Sequence, residues 1–130
     1  MEKFITAGIV CIMQDPYFRN IYLLLGKEEN HVGSSSANTW CAMSGRAESY
    51  ESDVAETASR EFEEESFGVI RIENLRQQLI EQDFLYKFSR IYHNGVATIY
   101  VKKIPFDPDV VERFATWRRL INPIRLQIKF

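Results

Sequence analysis

Six consecutive residues, Arg60-Glu61-Phe62-Glu63-Glu64-Glu65, place one guanidinium among four carboxylates. Carboxylate oxygens at this density suit hard divalent cations such as Mg²⁺ or Mn²⁺. Zinc is a poor match, because the two histidines, His31 and His93, stand far apart and no Cys/His spacing resembles a ligand set. The wider segment 51–66 holds seven acids and one base, a net charge of −6, whereas the remainder of the chain carries +4. The overall charge of −2 therefore hides a segregation, and something must neutralise the acidic segment.

Those residues are expected on a helix. Asp53 followed three residues later by Glu56 forms a capping-box-like start. Val54, Ala58 and Phe62 recur every fourth position, and Gly68 supplies a stop after an end near Ser66. At about 100° per residue, with Val54 at zero, Ala58, Phe62 and Ala55 lie near about 40°, 80° and 100°. Glu65, Glu61 and Glu64 fall at about 20°, 340° and 280°, at the edge of that apolar face. Glu56 and Glu63, at about 200° and 180°, lie on the solvated side. Runs of glutamate on helices are commonly solvated faces. Here, however, Glu61 repels Glu64 and Glu65 at i, i+3 and i, i+4, and all three oppose the helix dipole. Partial burial of unpaired carboxylates adds a further cost. A divalent cation would offset all three terms.

Other elements must position this helix. Phe4 to Met13 is apolar and β-branched, as expected of a strand, and Asp15-Pro16 marks a turn. Ile21 to Leu25 reads as a second, buried strand, and 27–39 as a polar loop. A short apolar piece from Trp40 to Met43 leads to Ser44-Gly45. Beyond the helix, strands are expected over Leu79–Ile91 and Ala97–Ile104, joined at His93-Asn94-Gly95, where Asn-Gly is a hairpin signal. Val110–Ile121 reads as a helix, and alternation over Ile124–Phe130 suggests a last strand. The order is that of one α+β domain, residues 1–130, with a mixed sheet.

Composition agrees with such a domain. With 130 residues, 45% of them hydrophobic, and nine Phe, six Tyr and two Trp, the chain can fill one core and is not disordered. No apolar run approaches the roughly 20 residues of a membrane span. The start at Glu2-Lys3 matches no signal peptide, and Cys11 and Cys41 read as reduced core residues. A cytoplasmic protein without membrane partners is expected.

Gly45, five residues, Glu51, then Arg60-Glu61-Phe62-Glu63-Glu64-Glu65 resembles the Nudix box, G-x5-E-x7-R-E-U-x-E-E-x-G-U, where U is a bulky apolar residue. Tyr22-Leu23-Leu24-Leu25, and Trp40 shortly before the glycine, also look Nudix-like. Two departures are single-residue insertions: eight residues separate Glu51 from Arg60, and Phe67 stands where the pattern has glycine. Neither alters the spacing within Arg60–Glu65. The resemblance implies a Nudix-like α/β/α sandwich with the box on a loop-helix-loop. It also implies metal ligation by Glu61, Glu64 and Glu65, with Arg60 orienting the carboxylates. Glu51 becomes a supporting partner, and the Ser44-Gly45 backbone a loop approaching the metal.

The implied activity is Mg²⁺- or Mn²⁺-dependent hydrolysis of a diphosphate bond in a nucleoside diphosphate linked to another moiety. Lys27 and Arg46 are candidates for phosphate contact, and Asp107, Asp109 and Glu112 for an additional acid or base. Tyr17, Phe18, Tyr86 and Tyr92 could stack a base, although aromatics near strands are commonly core. Arg113, Arg118, Arg119, Arg125 and Lys129 could track a polyphosphate or RNA. A small nucleotide is the first expected substrate and a capped RNA end the second. The competing class is a non-catalytic Nudix-fold module that binds a nucleotide or a protein. The oligomeric state is open, a homodimer included.

Overall fold

The computed structural model describes residues 4–27, 40–66 and 68–121. Its central strand, β1 (Phe4–Gln14), is long enough to serve three neighbours. Along one edge it pairs in parallel with β7 (Gly95–Lys103), in register from Ala7 opposite Thr98 to Ile12 opposite Lys103. The other edge is shared. β5 (Met43–Arg46) pairs antiparallel with Thr6–Ile9, and β2 (Ile21–Leu24) pairs antiparallel with Cys11–Gln14. β6 (Tyr86–Tyr92) completes the five-stranded sheet as the antiparallel neighbour of β7. A separate pair of short strands joins β3 (Gly26–Lys27) to β4 (Trp40–Cys41). The class is α+β with a mixed sheet, as expected.

Alternation along the two central strands builds the core. Ala7, Ile9, Cys11 and Met13 of β1 and Tyr100 of β7 face helix α1 (Val54–Glu65), which buries Ala55, Ala58 and Phe62 against them. Helix α2 (Leu75–Ile80) adds Leu75 and Leu79. Cys11 is a buried free thiol pushed up to about 12 by desolvation; the Cys41 side chain lies outside the described atoms.

The ends of α1 follow the sequence. Asp53 is the N-cap, its Oδ1 accepting from the Glu56 N–H at 2.7 Å, and Glu56 Oε1 accepts from the Ser52 N–H at 2.9 Å. Ser66 is the C-cap. Gly68, at φ +70°, donates its N–H to the Glu63 carbonyl at 3.1 Å, a left-handed position that glycine adopts without steric cost.

Three expectations are corrected. Ile21–Leu24 forms β2 but is not buried: Ile21 is 65% and Leu23 57% exposed, because they project from the sheet face opposite α1. Leu79 begins no strand. It closes α2, whose Leu75 and Leu79 pack at i, i+4 spacing, and the strand starts only at Tyr86. The hairpin turn is His93-Asn94, and Gly95 already pairs with Tyr92. Helix α3 (Val110–Ile121) spans the expected residues. The expected strand over Ile124–Phe130 lies outside the described residues. No described helix is long and apolar enough to cross a membrane.

Candidate active site

The acidic helix and its preceding loop meet at one guanidinium. Arg60 Nε lies 2.9 Å from Glu51 Oε2, and its Nη2 donates to Glu51 Oε1 at 3.0 Å, a bidentate pair. The same Nη2 donates to the Arg46 carbonyl at 2.9 Å. Nη1 pairs with Glu61 Oε1 at 2.9 Å and with Glu64 Oε2 at 3.1 Å. Arg60 thus ties the end of β5, the box loop and the second half of α1 together.

Glu51 is a structural anchor. Its side chain is fully buried and also accepts from the Glu48 N–H at 2.7 Å and Thr57 Oγ1 at 3.0 Å. The Arg60 hydrogen bonds hold its carboxyl down to about 2, against the upward pull of burial. Arg60 is in turn pushed up by the Glu51 hydrogen bonds and by Glu64 and Glu61. Eight residues separate Glu51 from Arg60, and the two side chains still meet as this pair.

Glu61 is the buried acid that faces Gly45, and the Ser44-Gly45 pair expected in a loop belongs to strand β5, held by pairing with Gly8 and Ala7. Desolvation raises its carboxyl above the ordinary carboxylate range, against the pull of Arg60. Gly45 explains how the carboxylate fits. A Cβ at that position would lie 2.2 Å from Glu61 Cδ and 2.3 Å from Oε2, so a side chain there would displace the carboxylate. Ser44 stands opposite Gly8 in the β1–β5 ladder and is half-buried.

The three expected metal ligands differ in exposure, and Glu61 is the buried one. Glu64 is 59% exposed and Glu65 is exposed. Glu65 shares the wheel angle of the buried face but, as the last residue of α1, is exposed. Among the described residues, no three His, Cys, Asp or Glu side chains are grouped to hold a metal ion. The neutralising charge beside Glu61 and Glu64 is Arg60.

Two cavities flank the end of α1. One, of about 540 Å³, is lined by Arg60, Glu63, Glu64, Gly68 and Arg71. The other, of about 490 Å³, also touches Gly68 and Arg71 and is walled by Asp109, Glu112, Arg113 and Thr116. Asp109 and Glu112 therefore stand near the helix end, whereas Asp107 is held by Arg113 at 2.6 Å. Glu63 is exposed, as expected, and lines one of these cavities; sequence reasoning missed Arg71, which no motif marks.

The remaining candidates are scattered. Arg46 is exposed, and its carbonyl, not its side chain, meets Arg60. Tyr17 and Phe18 project from the β1–β2 turn, 86% and 80% exposed. Tyr86 and Tyr92 lie on the sheet face opposite α1. The side chains of Lys27, Arg118 and Arg119, and residues Arg125 and Lys129, lie outside the described parts.

The crystal structure of C. elegans Ap4A hydrolase is similar in fold, with a TM-score of 0.51 and 17% identity over 84% of this chain and 72% of that one. A binary complex of a C. elegans Ap4A hydrolase matches at a TM-score of 0.48 and 17% identity, over 80% and 67% of the two chains. No family profile and no curated protein matches the sequence.

Proposed function

We propose that the chain is a divalent-metal-dependent pyrophosphohydrolase of the Nudix type, cleaving a diphosphate bond in a nucleoside diphosphate linked to another moiety. The observation that carries this reading is the Arg60 hub, which gathers Glu51, Glu61 and Glu64 beside a glycine that leaves room for one carboxylate. Because the C. elegans neighbour is an Ap4A hydrolase, dinucleoside polyphosphates are the first substrates to test.

The donor chemistry fits Mg²⁺ or Mn²⁺, since Glu61, Glu64 and Glu65 offer only hard carboxylate oxygens. These three would hold the ion, and the bidentate pair with Glu51 keeps the Arg60 guanidinium in place beside them. Bound there, the ion supplies neutralisation of two adjacent phosphates and a lowered pKa for an attacking water. Asp109 and Glu112, outside α1, line the cavity next to Gly68 and are the candidates for a general base. Arg46 and Lys27 remain candidates for phosphate contact.

One observation favours the non-catalytic module: Arg60 already satisfies Glu61 and Glu64 without a cation. A panel of nucleoside triphosphates, ADP-ribose, dinucleoside polyphosphates and capped RNA, assayed with Mg²⁺ or Mn²⁺, separates the two readings. Turnover above background is expected, and Glu64→Gln and Glu65→Gln should each lower kcat by about a hundredfold. Background rates across the panel overturn the enzyme reading. Full activity in both variants overturns the metal assignment.

A further inference from the structure

The two cavities beside α1 share Gly68 and Arg71, so Arg71 stands at their junction. Among the described residues three cations line the pair, and two are engaged. Arg60 holds Glu51, Glu61 and Glu64, and Arg113 holds Asp107. Arg71 is exposed and makes no ion pair or side-chain hydrogen bond among the described residues. Its planar fork of N–H donors matches phosphate oxygens and is left free by the described residues. Each cavity also contains two acids, Glu63 and Glu64 in one and Asp109 and Glu112 in the other. Bulk positive charge therefore draws no anion there, and a polyanion would need a specific donor.

We propose that Arg71 is a phosphate-binding residue that holds a phosphate beyond the scissile pair. The joined cavities then favour substrates with three or more phosphates, and the moiety past Arg71 occupies the cavity walled by Val69 and Thr116. This inference rests on the pyrophosphohydrolase reading for its catalytic consequence, but its binding step is measurable alone.

Calorimetric titration with inorganic tripolyphosphate, without divalent metal, tests that step. Wild type should bind, Arg71→Ala should weaken binding about tenfold, and Arg71→Lys should restore part of it. Arg90→Ala, which removes a cation from the distant strand β6, should bind as wild type does. No wild-type binding, equal affinity in Arg71→Ala, or an equal loss in Arg90→Ala overturns the proposal. In hydrolysis, Arg71→Ala should raise KM for a dinucleoside tetraphosphate about tenfold with kcat unchanged, and leave KM for ADP-ribose, which has two phosphates, unchanged. An equal rise for both substrates overturns the chain-length preference. Arg71-dependent binding without turnover in wild type overturns the hydrolase reading and leaves the phosphate site standing.

Discussion

At the N-terminal end of α1, Asp53 and Glu56 accept from backbone N–H groups, and Arg76 pairs with Asp53. The helix dipole favours anions there, so each acid has a local structural explanation. At the C-terminal end, Glu61, Glu63, Glu64 and Glu65 crowd a terminus that the dipole makes unfavourable for anions, and the last turn contains no basic residue. Arg60 offsets Glu61 and Glu64 there. Acids whose partners are in place hold the helix; acids that oppose their own helix are where chemistry is to be sought.

Replacement of Glu51 tests the link between the two ends most severely. Glu51→Ala strips Arg60 of its bidentate, buried partner, so a loss of about 3 kcal/mol is expected in chemical denaturation. The wild-type contribution has a defined pH dependence. The Glu51 carboxyl is held at about 2, below its ordinary 4.5, so its stabilisation is present above about 4.5 and disappears as pH falls toward 2. Thermal melts of wild type should fall over that window, and those of Glu51→Ala should fall less.

Asp53→Ala removes the N-cap and should cost about 1 kcal/mol while leaving kcat unchanged, since nothing at that end touches the site. A large drop in kcat would erase the distinction between the ends. Gly45→Ala should have the reverse signature. The new Cβ meets the far end of a side chain, so the melting temperature changes little, but the displaced Glu61 carboxylate should abolish Mn²⁺ binding measured by electron paramagnetic resonance. The smallest effect is expected for Glu64→Gln, which removes a like charge and an exposed ion pair with Arg60 together and should shift stability by only about 0.3 kcal/mol even as activity falls.

The sequence carried the helix bearing these acids almost to its caps, because Asp53, Glu56 and Gly68 act locally. Val110–Ile121 and the β6–β7 hairpin were legible for the same reason. What escaped depended on tertiary placement. Nothing local says that Ile21 and Leu23 project away from α1, since an apolar run does not reveal which side of a sheet is covered. Leu75 and Leu79 form a helix too short for periodicity to separate it from the strand that follows. The Nudix resemblance supplied Glu61 and Arg60, but a wheel angle gives no position along the helix, and Glu65, the last residue of α1, is exposed although its angle falls within the buried arc. Arg71 belongs to no pattern and became visible only as the wall of two cavities.

The parallel pairing of β1 with β7 bears on the order in which the site is assembled. Phe4 lies opposite Val96, 92 positions along the chain, whereas Thr6 meets Arg46 across only 40 and the β6–β7 turn closes within three. Loop-closure entropy makes distant pairings slow to form, and hairpins close on a scale of about 1–10 μs. The contact between β1 and β5 that seats Gly45 is therefore far more local than the one that completes the sheet. Sequence separation puts β1–β7 docking late in folding, with the loop and helix of the candidate site able to form before it.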